Sequence, residues 1–144
     1  MDGARLASWE LRQAGIEHKI VADSAVAWLY AREPIDAVVV RAEWVAATGD
    51  TGAVVGARAL ALLAAAGRGA EGEEPRFITV GPGTAVHGDT PDGAAIPSEL
   101  RPARELTAYL ADTPVRTSDA LVPAADVVPA ALIDTFVTDD EPAG

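Results

Sequence analysis

The sequence contains no cysteine, a single lysine (Lys19) and few aromatic side chains, which make up 5% of its 144 residues. Without cysteine the chain cannot form disulfides, thiolate zinc sites, iron–sulfur clusters or a cysteine nucleophile. No apolar run approaches the roughly 20 residues that span a bilayer, and the first residues form no apolar signal core. We therefore expect a soluble, cytoplasmic protein that does not bind a membrane.

The charge is strongly one-sided, since 11 basic side chains stand against 22 acidic ones and give a net charge of −11. Nucleic acids and anionic membranes bind clustered lysine and arginine, so this balance argues against both as partners. The length allows one domain with a core of its own, stabilised without disulfides or a structural metal. We predict one domain over residues 3–138 and an acidic tail over 139–144.

Strand-like and helix-like segments alternate along the chain. Apolar spacing and turn residues predict helices over 4–14, 25–32, 53–66, 102–110 and 127–136, and strands over 16–22, 35–40 and 76–80. The strand over 35–40 is continuously apolar, which is typical of a strand covered on both faces. The alternation predicts an α/β protein with a Rossmann-like parallel sheet and helices on both faces.

Ligands of open parallel sheets bind beyond the carboxyl ends of the strands. Four segments are expected to meet there, and they contain the candidate pocket residues Asp23, Ser24, Arg41, Trp44, Gly49, Asp50, Thr51, Gly81 and Gly83. The long Gly- and Pro-rich segment 81–98 predicts a loop that is functional or mobile.

Simpler structural roles compete with binding at several of these positions. Asp23 and Ser24 fit a helix N-cap, which we favour. The Gly49–Gly52 segment fits a tight turn better than an anion site, because no lysine supports it. Trp44 fits ligand stacking and a half-buried core position equally well. His87 has no second histidine nearby, so we predict no metal site and no cofactor.

Several ordered motifs resemble one known family. They are the segments 3–11, 13–16, 21–24, 35–40, 42–43, 45–50 with its continuation to Gly56, and 125–133. Together they resemble the C-terminal domain of methylthioribose-1-phosphate isomerase, whose family includes ribose-1,5-bisphosphate isomerase and the alpha, beta and delta subunits of initiation factor 2B. The resemblance implies a Rossmann-like domain without the first strand of the family fold. It also implies a homodimer or heteromer.

The chemistry implied by the resemblance is aldose-to-ketose isomerisation of a phosphorylated sugar by a cysteine and an aspartate. The aspartate position is Glu43, the following arginine position is Trp44, and the Asn–Lys pair near the phosphate is Ala53–Val54. The cysteine position precedes this chain. Alanine and valine cannot replace the charge-assisted bonds of the lost cations.

Glu43 keeps a carboxylate at the catalytic position but displaces it by about one methylene. It is therefore the candidate catalytic residue, while an ion pair with Arg41 or Arg58 is the simpler role. We expect a divergent, non-catalytic member of the family that binds a ligand, such as a phosphosugar or nucleotide-like molecule, or another subunit. The alternative is an isomerase completed by another chain or acting on an altered substrate. A third possibility is a pocket adapted to a biosynthetic reaction.

Overall fold

The computed structural model of the chain describes residues 2–67, 75–108 and 119–139. Its helices are α1 (Asp2–Gln13), α2 (Val26–Tyr30), α3 (Ala57–Ala66) and α4 (Arg104–Thr107). Its strands are β1 (Ala37–Ala46), β2 (Thr51–Ala53), β3 (Arg76–Val80), β4 (Val86–His87), β5 (Asp126–Val128) and β6 (Thr135–Val137). No helix among these residues is long and apolar enough to cross a bilayer.

The strands form one six-stranded sheet in the order β5-β2-β1-β3-β6, with β4 beside the carboxyl end of β1. The β1–β3, β3–β6 and β1–β4 pairs are parallel, whereas β1–β2 and β2–β5 are antiparallel. The predicted α/β Rossmann-like class is confirmed, but the sheet is mixed rather than wholly parallel. The reason is the tight turn after β1, since a short hairpin can join only antiparallel strands.

The core lies between α3 and one face of the sheet. Ala57, Ala61 and Ala64 recur at helical spacing along α3 and are fully buried. They pack against Phe77 and other residues from four strands, namely Val40, Ala53 and Val128 with the partly buried Val38. Alanine on the contact face lets the helix lie close to the sheet, so Phe77 becomes one of the largest fully buried side chains.

The opposite face of the parallel strands is exposed to solvent. Val39 on β1 is 63% exposed, Val80 on β3 is 39% exposed, and Val137 on β6 is 45% exposed. Continuously apolar strands of parallel sheets are normally covered on both faces. The two faces of this sheet therefore differ in burial, since α3 covers one face and the described residues leave the other exposed.

Two of the predicted elements are wrong. The segment 127–136 forms β5, a 3₁₀ turn at Ala130–Leu132 and β6 instead of a helix. Its apolar spacing fits a helix, but pairing of its β-branched residues with β2 and β3 decides the structure. The segment 16–22 forms no strand and pairs with none of the described strands.

Other boundaries differ from the prediction. β1 runs on to Ala46, while α3 starts at Ala57, since residues 51–53 pair as β2 and Gly56 adopts a φ of 104°. The predicted strand over 76–80 is confirmed as β3. Of the predicted helix over 102–110, only Arg104–Thr107 is α-helical, and residues 109–110 lie outside the described residues. Most of the predicted acidic tail, residues 140–144, lies outside them as well.

Candidate functional site

The candidate residues are distributed over separate places in the structure. Glu43 lies in one groove, Arg41 and Gly81 lie in another, and Asp50 lies in the turn that follows β1. Asp23 and Ser24 are exposed in a 3₁₀ turn, and neither side chain caps it or α2. The N-cap role predicted for them is therefore wrong.

Glu43 occupies a β-bulge at the middle of β1. Ala42 lies opposite Ala53 on β2 and Trp44 lies opposite Gly52, so Glu43 is an extra residue without a partner. A bulge re-aims the side chain that it carries, and bulges are common next to active sites. The exposed carboxylate of Glu43 has no hydrogen bond or ion pair with the described residues, so the predicted pairing with Arg41 or Arg58 is not found.

The Glu43 groove has a volume of about 650 Å³ and mainly apolar walls. It is lined by Glu43, Val54, Val55, Arg101, Leu106, Leu121, Val122, Pro123 and Ala124. Val54 stands where the resemblance places a phosphate-contacting lysine, and its side chain is 52% exposed. The groove thus offers a free carboxylate and apolar surface at the place where the resemblance implies a phosphate clamp.

Arg101 is the one cation among the described residues that line the Glu43 groove. Its Nε atom lies 2.8 Å from a carboxylate oxygen of Glu105, four residues further on. The main chain of Arg101 is fixed as well, because its N–H donates to the carbonyl of Val122 at 2.7 Å. An exposed pair of this kind contributes about 0–1 kcal/mol to stability, and the Glu105 carboxylate partly offsets the charge that Arg101 presents to the groove.

The amino terminus of α3 is occupied by a carboxylate of the chain itself. Asp126 Oδ2 accepts hydrogen bonds from the N–H groups of Gly56 (2.8 Å) and Arg58 (3.1 Å). Such N–H groups are the ones that bind phosphate at other helix termini. Asp126 is 70 residues from Gly56, so no local signal in the sequence identifies it as the cap.

Asp50 joins three segments of the chain. Its carboxylate accepts hydrogen bonds at 2.8 Å from the Thr48 hydroxyl and from the N–H groups of Gly93 and Ala130. These bonds, the one from Ala130 foremost, hold the pKa of Asp50 below its usual value. The buried Thr51 donates its hydroxyl to the carbonyl of Gly49, so this segment is a tight turn with a structural carboxylate.

Trp44 is engaged with other residues of the protein. Its ring stacks on His87 with the ring centroids 3.5 Å apart and the planes 13° from parallel. The indole Nε1–H donates to the Thr90 hydroxyl at 3.0 Å. A Cβ on Gly52 would lie 3.0 Å from Ile96 Cγ2 and 3.1 Å from Trp44 Cβ, so glycine lets the chain pass close to both residues. These contacts favour the half-buried structural role.

The Arg41 groove lies on the exposed face of the parallel strands and has a volume of about 730 Å³. It is lined by Val39, Val40, Arg41, Val80, Gly81, Pro82, Val137, Thr138 and Asp139. Gly81 is required for packing, since a Cβ there would lie 2.8 Å from the carbonyl oxygen of Ala42. The N–H of Gly83 donates to Asp139 Oδ1 at 2.9 Å, which is the main reason why the pKa of Asp139 is lowered.

The order of the strands and the helix packed on the sheet define an α/β protein of Rossmann-like type. Residues 1–140 match the family model described as "Initiation factor 2 subunit family", and the chain belongs to that family. The described part of the chain contains no group of three or more histidine, aspartate and glutamate side chains that could hold a metal ion.

Two curated relatives are bacterial methylthioribose-1-phosphate isomerases. The protein of Thioalkalivibrio sulfidiphilus is 43% identical over 96% of this chain and 38% of its own length. That of Alkalilimnicola ehrlichii is 40% identical over 96% of this chain and 39% of its own length. The chain thus spans about two fifths of the curated relatives that it matches.

Two solved structures have the same fold. The 5-methylthioribose 1-phosphate isomerase of Pyrococcus horikoshii superimposes with a TM-score of 0.81 at 30% identity, over 95% of this chain and 37% of that protein. The delta subunit of initiation factor eIF-2B from A. fulgidus gives a TM-score of 0.78 at 21% identity, over 92% of this chain and 37% of that protein. The second similarity concerns the fold alone.

Proposed function

We propose that this chain is a divergent, non-catalytic member of the family that serves as a ligand-binding or subunit-interaction domain. The observation that carries the proposal is the composition of the Glu43 groove. Val54 occupies the position of the implied lysine, and Arg101 is already paired with Glu105. The N–H groups at the start of α3 are taken by Asp126.

A phosphorylated sugar is poorly matched to such a groove. A phosphate loses its hydration when it binds, and valine provides no hydrogen bond in return. The free carboxylate of Glu43 would also repel it. We therefore expect a phosphosugar or nucleotide-like molecule to bind weakly here and without turnover.

The test measures binding and turnover of methylthioribose-1-phosphate and ribose-1,5-bisphosphate by calorimetry and by ketose formation. The unmodified chain should give no turnover with either compound. The variant Val54→Lys should bind both compounds about tenfold more tightly, with an affinity that falls as salt rises. Leu62→Lys is the matched control, because Leu62 is equally exposed but lies on α3 outside the groove. Turnover by the unmodified chain would contradict the proposal.

Isomerase activity is the second candidate function. Two observations favour it, namely the free carboxylate of Glu43 at a bulge inside the groove and the names of the curated relatives. In that case another part of the family fold supplies the remaining catalytic groups. Glu43→Gln, which keeps the size of the side chain, should then abolish ketose formation without weakening substrate binding to the same extent.

We also expect a homodimer or heteromer that acts in the cytoplasm. Exposed apolar side chains support association, among them Leu6 and Trp9 on α1, which are 58% and 60% exposed. Light scattering at low micromolar concentration tests self-association, and a monomer at all concentrations would contradict the homodimer.

A further inference from the structure

Ser8 and His18 form a hydrogen-bonded pair that lies apart from the grooves described above. Ser8 Oγ, on α1, lies 2.8 Å from Nε2 of His18. A serine inside a helix commonly donates to the carbonyl four residues before it. Ser8 bonds instead to a histidine ten residues further along the chain, and both side chains are half-buried. A hydroxyl at hydrogen-bonding distance from an imidazole is the arrangement of a serine nucleophile and its base.

A second hydrogen bond determines which nitrogen of His18 carries the proton. Nδ1 lies 3.0 Å from the carbonyl oxygen of Ile16. A carbonyl oxygen only accepts, so Nδ1 must be the nitrogen that holds the hydrogen. In the neutral imidazole Nε2 then has a free lone pair, and it accepts the hydrogen of the Ser8 hydroxyl. The carbonyl of Ile16 therefore orients the base, as a third group does in a nucleophilic dyad.

The turn after α1 holds His18 in this position. Gly15 adopts a φ of 69°, a left-handed conformation that glycine tolerates. Its N–H donates to the carbonyl of Arg12 at 3.1 Å, and the N–H of Ile16 donates to the carbonyl of Leu11 at 2.9 Å. These two bonds are those of a Schellman motif, which ends a helix and turns the chain. A local turn of the backbone thus brings the base beside the nucleophile.

A groove beside His18 has room for a substrate. It has a volume of about 740 Å³ and is lined by the apolar Ile16, Val21 and Leu29, the cations Arg12 and Lys19, and the carboxylate of Glu17. Its apolar part suits a hydrocarbon chain. Arg12 follows Ser8 by four residues and projects from the same face of α1, so its positive charge favours negative charge that develops at Ser8.

We propose that Ser8 is a nucleophile for acyl transfer, with His18 as its general base, and that its substrates are esters of apolar carboxylic acids. Ser8 Oγ attacks the carbonyl carbon of the ester, and its proton moves to Nε2 of His18. The bond from that carbon to the alcohol oxygen then breaks, and the leaving alcohol takes up the proton.

Hydrolysis of the acyl-serine completes the reaction. Water attacks the acyl carbon and gives a proton to Nε2 of His18, and Ser8 Oγ leaves with that proton. Together the two steps convert one ester and one water into an acid and an alcohol. This activity goes beyond the proposed function, since neither step involves the Glu43 groove.

The test reacts the 144-residue chain with a fluorophosphonate in place of the ester. Attack by Ser8 Oγ forms an O–P bond and releases fluoride, which leaves a stable adduct. Mass spectrometry locates it, because trypsin releases the peptide 6–12, in which Ser8 is the only hydroxyl-bearing residue. We expect Ser8 to react at least about tenfold faster than Ser98, whose hydroxyl donates to the carbonyl of Ala125. We also expect the chain to hydrolyse 4-nitrophenyl butanoate.

Two variants test the roles of the pair. Ser8→Ala removes the nucleophile, so the peptide 6–12 should stay unmodified and ester hydrolysis should fall at least about tenfold. His18→Gln keeps a side chain that accepts a hydrogen bond from Ser8 but is not a base, so both rates should fall about tenfold or more. Ser98→Ala is the matched control and should leave both rates unchanged. All three variants should keep the far-ultraviolet circular dichroism of the unmodified chain.

A purely structural hydrogen bond gives a different result. Ser8 would then react no faster than Ser98, or His18→Gln would react as fast as the unmodified chain, and either outcome would overturn the proposal. Ester hydrolysis that Ser8→Ala leaves unchanged would overturn it as well. None of these outcomes bears on ligand binding at the Glu43 groove, so the two proposals fail separately.

Discussion

The two halves of β1 are built in different ways. The carboxyl half, Ala42–Ala46, has β2 on one edge and β4 on the other, and the turn after it is fixed by Asp50. The amino half, Ala37–Arg41, has one neighbouring strand and one covered face. Among the described residues, the same strand is thus paired on both edges at one end, while at the other end one edge is unpaired and one face is exposed.

The two halves of β1 differ because they are stabilised by different kinds of contact. The carboxyl half is held by backbone and side-chain hydrogen bonds from loops of the same chain, including Ala47 N–H to the Thr90 carbonyl at 2.8 Å. The amino half is held by its parallel ladder with β3 and by apolar packing of Val38 and Val40 against the core under α3. Packing on one face stabilises a strand but leaves its other face and edge available.

The largest loss of stability is expected on the covered face of the sheet, at Phe77 of β3, which lies beside Val38 in the amino half of β1. Phe77→Ala removes a side chain that is 1% exposed and leaves a cavity under α3, so we expect the free energy of unfolding to fall by about 3–5 kcal/mol. Val39→Ala, on the exposed face of the neighbouring strand, should cost less than about 1 kcal/mol. Urea denaturation followed by circular dichroism measures both. Equal losses would show that the two faces are equally buried in solution.

A smaller effect is expected in the carboxyl half. Asp50→Ala leaves the N–H groups of Gly93 and Ala130 without their carboxylate, and we expect a loss of about 2 kcal/mol after allowing for solvent. Asp92→Ala is the matched control, since Asp92 accepts two N–H groups from its own turn and joins no distant segments. It should cost about 1 kcal/mol.

The Asp50 effect should depend on pH. Because the folded pKa of Asp50 is lowered, its stabilisation is fully present above the ordinary aspartate value near pH 4. It is lost as the pH falls below that value through the lowered pKa. The stability difference between the unmodified chain and Asp50→Ala should therefore shrink below about pH 4. A constant difference down to pH 2 would contradict the assignment.

The smallest loss of stability is expected from changes at the stacked rings of Trp44 and His87. Trp44→Phe keeps an aromatic ring over His87 but removes the donor to Thr90, which should cost about 1 kcal/mol. Thr90→Val removes the same bond from the other side, so the double variant should cost less than the two single changes added together. Strict additivity would mean that the bond contributes nothing.

Much of the fold can be predicted from local patterns, and the failures have a common cause. The continuous apolar run of β3 and the alanine stripe of α3 identify both elements, because each pattern matches one kind of packing. The last segment, 127–136, was predicted as a helix from similar spacing. Its structure depends on pairing with β2 and β3, which are distant in sequence.

The candidate site can likewise be predicted only in part, because local sequence patterns do not show which distant segments will meet. The motif around Glu43 locates the residue, but the bulge that turns its side chain into a groove separate from Arg41 depends on the register with β2. Trp44 gives no sign in the sequence that His87 and Thr90 will engage it. Asp126, which caps α3, is 70 residues from Gly56, so no local pattern indicates this contact either.

The long-range carboxylate contacts also constrain the order of folding. Asp126 reaches α3 across 70 residues, Ala130 reaches Asp50 across 80, and Asp134 reaches Phe77 across 57. Closing such loops costs chain entropy before any of these bonds can form, which slows folding relative to proteins with mainly local contacts. We therefore expect β5 and β6 to join late, and until they do, the amino terminus of α3 and the edges of β2 and β3 are available for intermolecular pairing.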